Sequence, residues 1–138
     1  MPLKEDYIYF AGFIDGEGCI RVNNAPRLHI TNTNEQIILW IKDTFGGYVW
    51  AESKSYIPNA KIRYIWELSS RKLLKLLIEI YPYLKIKSKQ AKLVIDYYES
   101  GVTRHPSNII KTNKLRIKLQ RLNHKGVINK KEAKYAVA

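Results

Sequence analysis

The chain has 138 residues, the size of one domain able to bury a proper core. It carries 24 Lys plus Arg against 12 Asp plus Glu, a formal net charge of +12 that calls for a polyanionic partner, duplex DNA or RNA before an acidic membrane surface. The single cysteine, Cys19, excludes an internal disulfide framework and a Cys-cluster zinc site, and His29, His105 and His124 are too scattered to hold zinc. No apolar run approaches the roughly 18 residues that span a bilayer, and no secretory signal precedes the first helix. An intracellular location, in the cytoplasm or nucleoid of a prokaryote or in an organelle, is the expectation.

Tyr7, Phe10, Ala11 and Ile14 recur at helical spacing and predict a first helix from about Lys4 to Asp15. Gly16 and Gly18 follow, suited to the left-handed geometry that closes many helices. Asp15 and Glu17 fall in this closing turn, where the carbonyl end already carries partial negative charge, so their presence implies a cation nearby. Ala11 and Gly12 are small residues in a bulky apolar stretch and allow another backbone to come close. From Cys19 to Asn23 the chain alternates, with Ile20 and Val22 on one face and Cys19, Arg21 and Asn23 on the other. After a turn at Asn24 to Pro26, Leu28 and Ile30 face inward while Arg27, His29 and Thr31 face outward. A hairpin with one apolar and one basic face is predicted.

Thr33 or Asn34 is expected to cap a second helix with Ile37, Ile38, Ile41 and Phe45 inward, ending at Gly46 and Gly47. Tyr48 to Glu52 and Lys61 to Leu68 read as a second strand pair joined by the loop from Ser53 to Ala60. Ile62, Tyr64, Trp66 and Leu68 share one face of the latter strand, and Lys61, Arg63 and Ile65 the other. A third helix starts at Ser70, carries Leu73, Leu74, Leu77 and Ile78, and ends before Pro82. Two more helices are predicted, to about Ser100 and from about Pro106 to Asn123, with Gly101 between them. From Lys111 to Ala138 nine Lys or Arg stand against one acid. The expected architecture is α+β: one domain over residues 1–138, with a core at about 5–100 and basic C-terminal helices at about 101–138. Its four-stranded sheet carries helices on one face and leaves a basic face open, a surface of the kind that reads base edges in a major groove.

Phosphodiester hydrolysis needs an activated water, neutralised phosphate charge and a stabilised leaving oxygen, and carboxylate-held divalent cations supply much of this. Mg²⁺ takes only one or two carboxylates and fills its remaining positions with water and substrate oxygens. Glu17, between two glycines that let a phosphate approach, is the candidate ligand, with the carbonyl of Gly16 as a further one. A second feature is Leu84-Lys-Ile-Lys-Ser-Lys-Gln90, whose alternating Lys85, Lys87 and Lys89 would project to one side of an extended segment. A lysine so placed can stabilise charge on a reacting phosphate or position water.

Phe10-Ala-Gly-Phe-Ile-Asp-Gly-Glu-Gly18 resembles the signature of the LAGLIDADG homing endonucleases, departing conservatively at its first, fourth, seventh and eighth positions. The resemblance extends over roughly residues 5–100, because the single-motif members share the element order read above. It implies a homodimer packed through its motif helices, with Phe10, Ala11, Gly12, Phe13 and Asp15 at the interface. It implies that Glu17, the last acid of the motif, binds Mg²⁺, for which Mn²⁺ or non-catalytic Ca²⁺ can substitute. The run from Leu84 to Ala91 is similar to the family's lysine segment and puts the catalytic lysine at Lys87. Asn32 and Gln36 occupy the places of two residues that organise water, although the family has Arg where Gln36 stands. The sheet corresponds to a saddle on double-stranded DNA, with Arg21, Asn23, Arg27, His29, Lys61 and Arg63 as base or phosphate contacts, beside Lys85 and Lys89. The implied activity is a metal-dependent double-strand break in a long, pseudo-palindromic target, as in intron homing. The other reading is a maturase assisting intron RNA, or an inactive nucleic-acid binder on the same fold.

Overall fold

A computed structural model describes residues 1–53, 56–101 and 108–124. Helix α1 (Lys4–Glu17) is followed by strands β1 (Gly18–Val22) and β2 (Pro26–Asn32), then by helix α2 (Glu35–Phe45). Strands β3 (Tyr48–Glu52) and β4 (Arg63–Ser69) come next, then helix α3 (Ser70–Ile80), a 3₁₀ turn (Tyr81–Tyr83), and helices α4 (Ser88–Glu99) and α5 (Ile109–Asn123). The strands form one antiparallel sheet in the order β1-β2-β4-β3. This is the α+β arrangement that the periodicities predict.

The helices cover one face of the sheet. Ile20, Leu28, Ile30, Trp66 and Leu68 point into the core from the strands and meet Phe10, Ile14, Ile38, Ile41, Leu73 and Leu77 from the helices. Aromatic rings fill its centre: Phe10 stacks on Phe45 at 4.4 Å and meets Trp66 edge-on at 5.6 Å. Asn34 caps α2, its side-chain oxygen accepting from the Ile37 N–H at 3.1 Å, and Asp6 reaches back to the Leu3 N–H at 2.9 Å to secure α1.

Several expectations are corrected. Helix α1 runs to Glu17, and neither Gly16 nor Gly18 adopts a left-handed conformation; Gly18 is extended, with φ −81° and ψ 155°. The glycine is needed at 18 because a Cβ there would lie 2.9 Å from the Ile14 carbonyl oxygen. Lys61 and Ile62 precede β4 instead of lying in it. Residues 85–89 do not form an extended run, because Lys89 already lies in α4. The predicted start of the last helix at Pro106, most of the connection after Gly101, and the basic tail beyond His124 lie outside the described residues.

Candidate functional site

The C-terminal end of α1 is where the chemistry-bearing residues meet. Asp15 does not stay solvated. Its carboxylate accepts three consecutive backbone N–H groups, from Lys85 (2.8 Å), Ile86 (3.1 Å) and Lys87 (2.9 Å). An acid at a helix C-terminus costs about 0.3–1 kcal/mol, whereas a hydrogen bond to a charged group contributes about 1.5–3 kcal/mol. The second effect wins, and the acid is stable against the dipole. A cation is present as well: Lys87 Nζ donates to the Asp15 carbonyl oxygen at 2.8 Å. Helix carbonyls point towards the C-terminus, so this ammonium sits at the end of α1 that carries Glu17.

Glu17 is exposed in the last turn, two residues beyond Asp15, and so projects to a different side of the helix. The sheet register sets Gly18 opposite Ile30. Asn32, two residues or about 7 Å further along β2, therefore lies level with this helix end. Its Oδ1 accepts the Asn34 N–H at 2.8 Å. Gln36 is exposed in the first turn of α2. Lys85 and Lys89 are exposed on either side of Lys87.

The motif helix divides its residues between two environments. Phe10 and Ala11, predicted at a surface between two copies, are both 0% exposed within the single chain, where they pack in its own core. Asp15 is likewise turned towards the 85–87 turn. Gly12 and Gly16 remain exposed, beside Tyr9 and the half-buried Phe13, and a Cβ added at either glycine meets no atom within 4 Å.

The outer face of the sheet is polar but not uniformly basic. Arg21 stands directly opposite Arg27. Each guanidinium has an acceptor: Arg21 Nη2 lies 3.2 Å from His29 Nδ1, and Arg27 pairs with Glu67 at 3.3 Å. Arginine only donates, so His29 Nδ1 accepts. Its Nε2 then carries the proton and donates to Thr31 Oγ1, at 3.1 Å. Burial first, then the nearby Arg21 charge, push His29 below the ordinary imidazole value, against a weaker opposite pull from Glu67 and Glu52. It is a neutral hydrogen-bonding group here. Arg63 is paired with Glu52 at 3.1 Å, and Trp50 Nε1 donates to the same carboxylate at 3.4 Å.

Glu67 follows Arg63 and Ile65 onto this face by alternation, whereas Glu52 and the ring of Trp50 are members that alternation along β3 does not reveal. Tyr48, Val49 and Trp50 are all apolar or aromatic, so β3 lacks the contrast that would show its parity. Register settles it, placing Glu67 opposite Tyr48 and Ile65 opposite Trp50. Ile65, although on this face, is only 2% exposed, lying between Thr31 and Trp50 in the sheet.

Asn23 lies just past β1. Its carbonyl accepts Arg116 Nη2 at 2.6 Å, and Asn123 Nδ2 donates to the Ile20 carbonyl at 2.8 Å. These α5 side chains occupy the open edge of β1, so part of the basic C-terminal helix covers a sheet edge. Among the described residues no group of three or more His, Cys, Asp or Glu is placed to hold a metal ion, and no helix is long and apolar enough to cross a membrane.

No protein-family model and no curated protein sequence matches the chain. Solved structures do. The homing endonuclease I-CvuI, in complex with a DNA target in the presence of Mg, with the DNA not cleaved, is 24% identical with a TM-score of 0.68, over 86% of this chain and 82% of that one. The same enzyme with its own target in the presence of Ca is 25% identical at a TM-score of 0.69, over the same shares of the two chains. The archaeal intron-encoded homing endonuclease I-Vdi141I, complexed with DNA, is 21% identical at a TM-score of 0.69, over 88% of this chain and 86% of that one. The resemblance carried by residues 10–18 thus extends to three dimensions, and the chain has the fold of the LAGLIDADG homing endonucleases.

Proposed function

We propose that the chain is a site-specific DNA endonuclease acting as a metal-dependent homodimer. The observation that carries this reading is the convergence of Glu17, Lys87 and Asn32 at one end of α1, level with a sheet face bearing three arginines, in a fold that homing endonucleases use on DNA. As one domain, the chain would supply one cutting centre, and a two-fold pair would place two such centres on a pseudo-palindromic duplex.

The donor set fits a hard divalent cation of the Mg²⁺ type. One exposed carboxylate, Glu17, and the carbonyl of Gly16 are the ligands this chain offers, because the Asp15 oxygens already hold three N–H groups. Such an ion accepts one or two carboxylates and takes its other positions from water and phosphate oxygens. When bound, it neutralises charge on the scissile phosphate. The remaining work falls to the chain's own groups. Lys87 brings an ammonium with three donors, able to keep the Asp15 carbonyl while meeting a phosphate oxygen. Asn32 and Gln36 offer amides to order water beside it. Arg21, Arg27 and Arg63, with neutral His29, face the base edges, while Asn23, Lys61, Lys85 and Lys89 contact the flanks. The exposed Gly12 and Gly16, with Tyr9 and Phe13, form the surface on which a second copy packs.

The decisive experiment isolates a bound duplex from a randomised pool and incubates it with Mg²⁺. Wild type is expected to cut both strands, and Glu17→Gln to bind within about threefold while losing about 10³-fold or more in cleavage rate. Tight binding without cutting by wild type would move the assignment to an RNA-splicing helper or an inactive binder.

A further inference from the structure

We propose that Asp15 is a positioning residue for Lys87, joining the lysine segment to the metal-ligand end of α1. The inference rests on the endonuclease reading for its catalytic meaning. Its geometry stands independently. Residues 15 and 87 are 72 apart in sequence, yet four hydrogen bonds connect Asp15 to the 85–87 turn. Three of them run from successive N–H groups to one carboxylate, which fixes the path of the backbone just before α4 begins.

Lys87 is held at both ends. Its N–H donates to the Asp15 carboxylate at 2.9 Å and its Nζ to the Asp15 carbonyl at 2.8 Å. A clamp serving only to start α4 has no use for the second contact. Lys85 and Ile86, tied through the backbone alone, leave their side chains exposed, whereas Lys87 is half-buried. The Lys87 side chain is thereby laid along the end of α1 that carries Gly16 and Glu17. The Asp15 carboxylate is committed to three backbone N–H groups, Oδ1 to two of them and Oδ2 to one, and so is engaged by the 85–87 turn. The part of Asp15 is to hold the ammonium where a phosphate bound at Glu17 would meet it.

The test is a double-mutant cycle with Asp15→Asn and Lys87→Met, read as single-turnover cleavage of a duplex isolated from a randomised pool. Misplacing a catalytic group by about 1 Å costs on the order of 10²-fold, so Asp15→Asn is expected to lose about that in rate while duplex affinity stays within about threefold. The double variant should then be no slower than Lys87→Met within about twofold. Multiplying losses, or wild-type cleavage by Asp15→Asn, would overturn the proposal. Two readouts do not depend on cleavage. In Asp15→Asn the amides of residues 85–87 should exchange with solvent about tenfold faster, and Lys87 Nζ should become more reactive towards an acylating reagent. Unchanged exchange and reactivity would also overturn it. If wild type cuts no duplex, the endonuclease reading fails, and these two measurements still decide the clamp. Should Asp15→Asn not fold, Asp15→Glu replaces it, keeping the charge on a longer arm. Lower kcat at constant KM then supports positioning, and an unchanged kcat sinks it.

Discussion

Individual side chains on the sheet face show how the charges of a basic surface are met within the chain. Arg21 and Arg27 are cross-strand partners of like charge, an arrangement that destabilises a sheet unless each charge is met. Glu67 meets Arg27, and the lone pair of neutral His29 meets Arg21. This makes His29 sensitive to pH. Its folded-state value is lowered, so the unfolded chain binds the proton more readily. The stability associated with neutral His29 is present above about 6.5, the ordinary value, and is lost as pH falls through the lower folded value. Urea denaturation at pH 7 and pH 5.5 checks this. Wild type should lose more stability over that interval than His29→Gln, and equal losses would mean that the imidazole is not held neutral by its surroundings.

The junction between α2 and β3 illustrates how an element boundary depends on a glycine pair with two different reasons. Gly46 has φ +79° with open space around a hypothetical Cβ, whereas Gly47 has φ +102° and a Cβ there would meet Trp66 Nε1 at 2.6 Å and the Glu67 carbonyl at 2.8 Å. The Gly46 carbonyl also accepts the Trp66 indole N–H at 2.7 Å. Gly46, with ψ −163°, lies in an extended positive-φ region kept almost entirely for glycine, so Gly46→Ala carries conformational strain alone, about 1–3 kcal/mol. Gly47→Ala adds a clash against backbone and a buried ring, for a total of about 2–4 kcal/mol. Midpoints of urea unfolding should rank wild type, Gly46→Ala, Gly47→Ala. Equal losses for the two variants would show that Trp66 yields easily.

For the molecule as a whole, the motif helix is shared between a finished core and an exposed glycine face. A glycine inside a helix costs about 1 kcal/mol relative to Ala, and among the described residues nothing lies within 4 Å of a Cβ added at Gly12 or Gly16. In the homodimer proposed above, a second motif helix would use that space. Gly12→Leu fills open space in one chain and should preserve or raise its stability, while separating a homodimer into monomers in sedimentation equilibrium. Dimers persisting in Gly12→Leu would place the contact elsewhere on the surface.

The order of elements, the inward faces of β1, β2 and α2, and the outward Arg21, Arg27 and Arg63 were legible in the residues themselves. Each rests on local periodicity: a two-residue repeat for strands and a helical one for α1 to α3. The nine-residue motif also singles out Glu17 from the residues alone. What the tertiary structure alone decided involves partners distant in sequence. Asp15 looked like an acid in need of a cation, yet three backbone N–H groups some 70 residues away hold it. Phe10 and Ala11, which the resemblance assigns to an interface, are buried within the single chain, a placement the helical repeat does not settle because it does not say which apolar stripe the chain itself will cover. The lysine run alternated like a strand, but the carboxylate of Asp15 bends its backbone into the turn that opens α4. Local pattern specifies which way a side chain can point; only the packed fold specifies what is there to receive it.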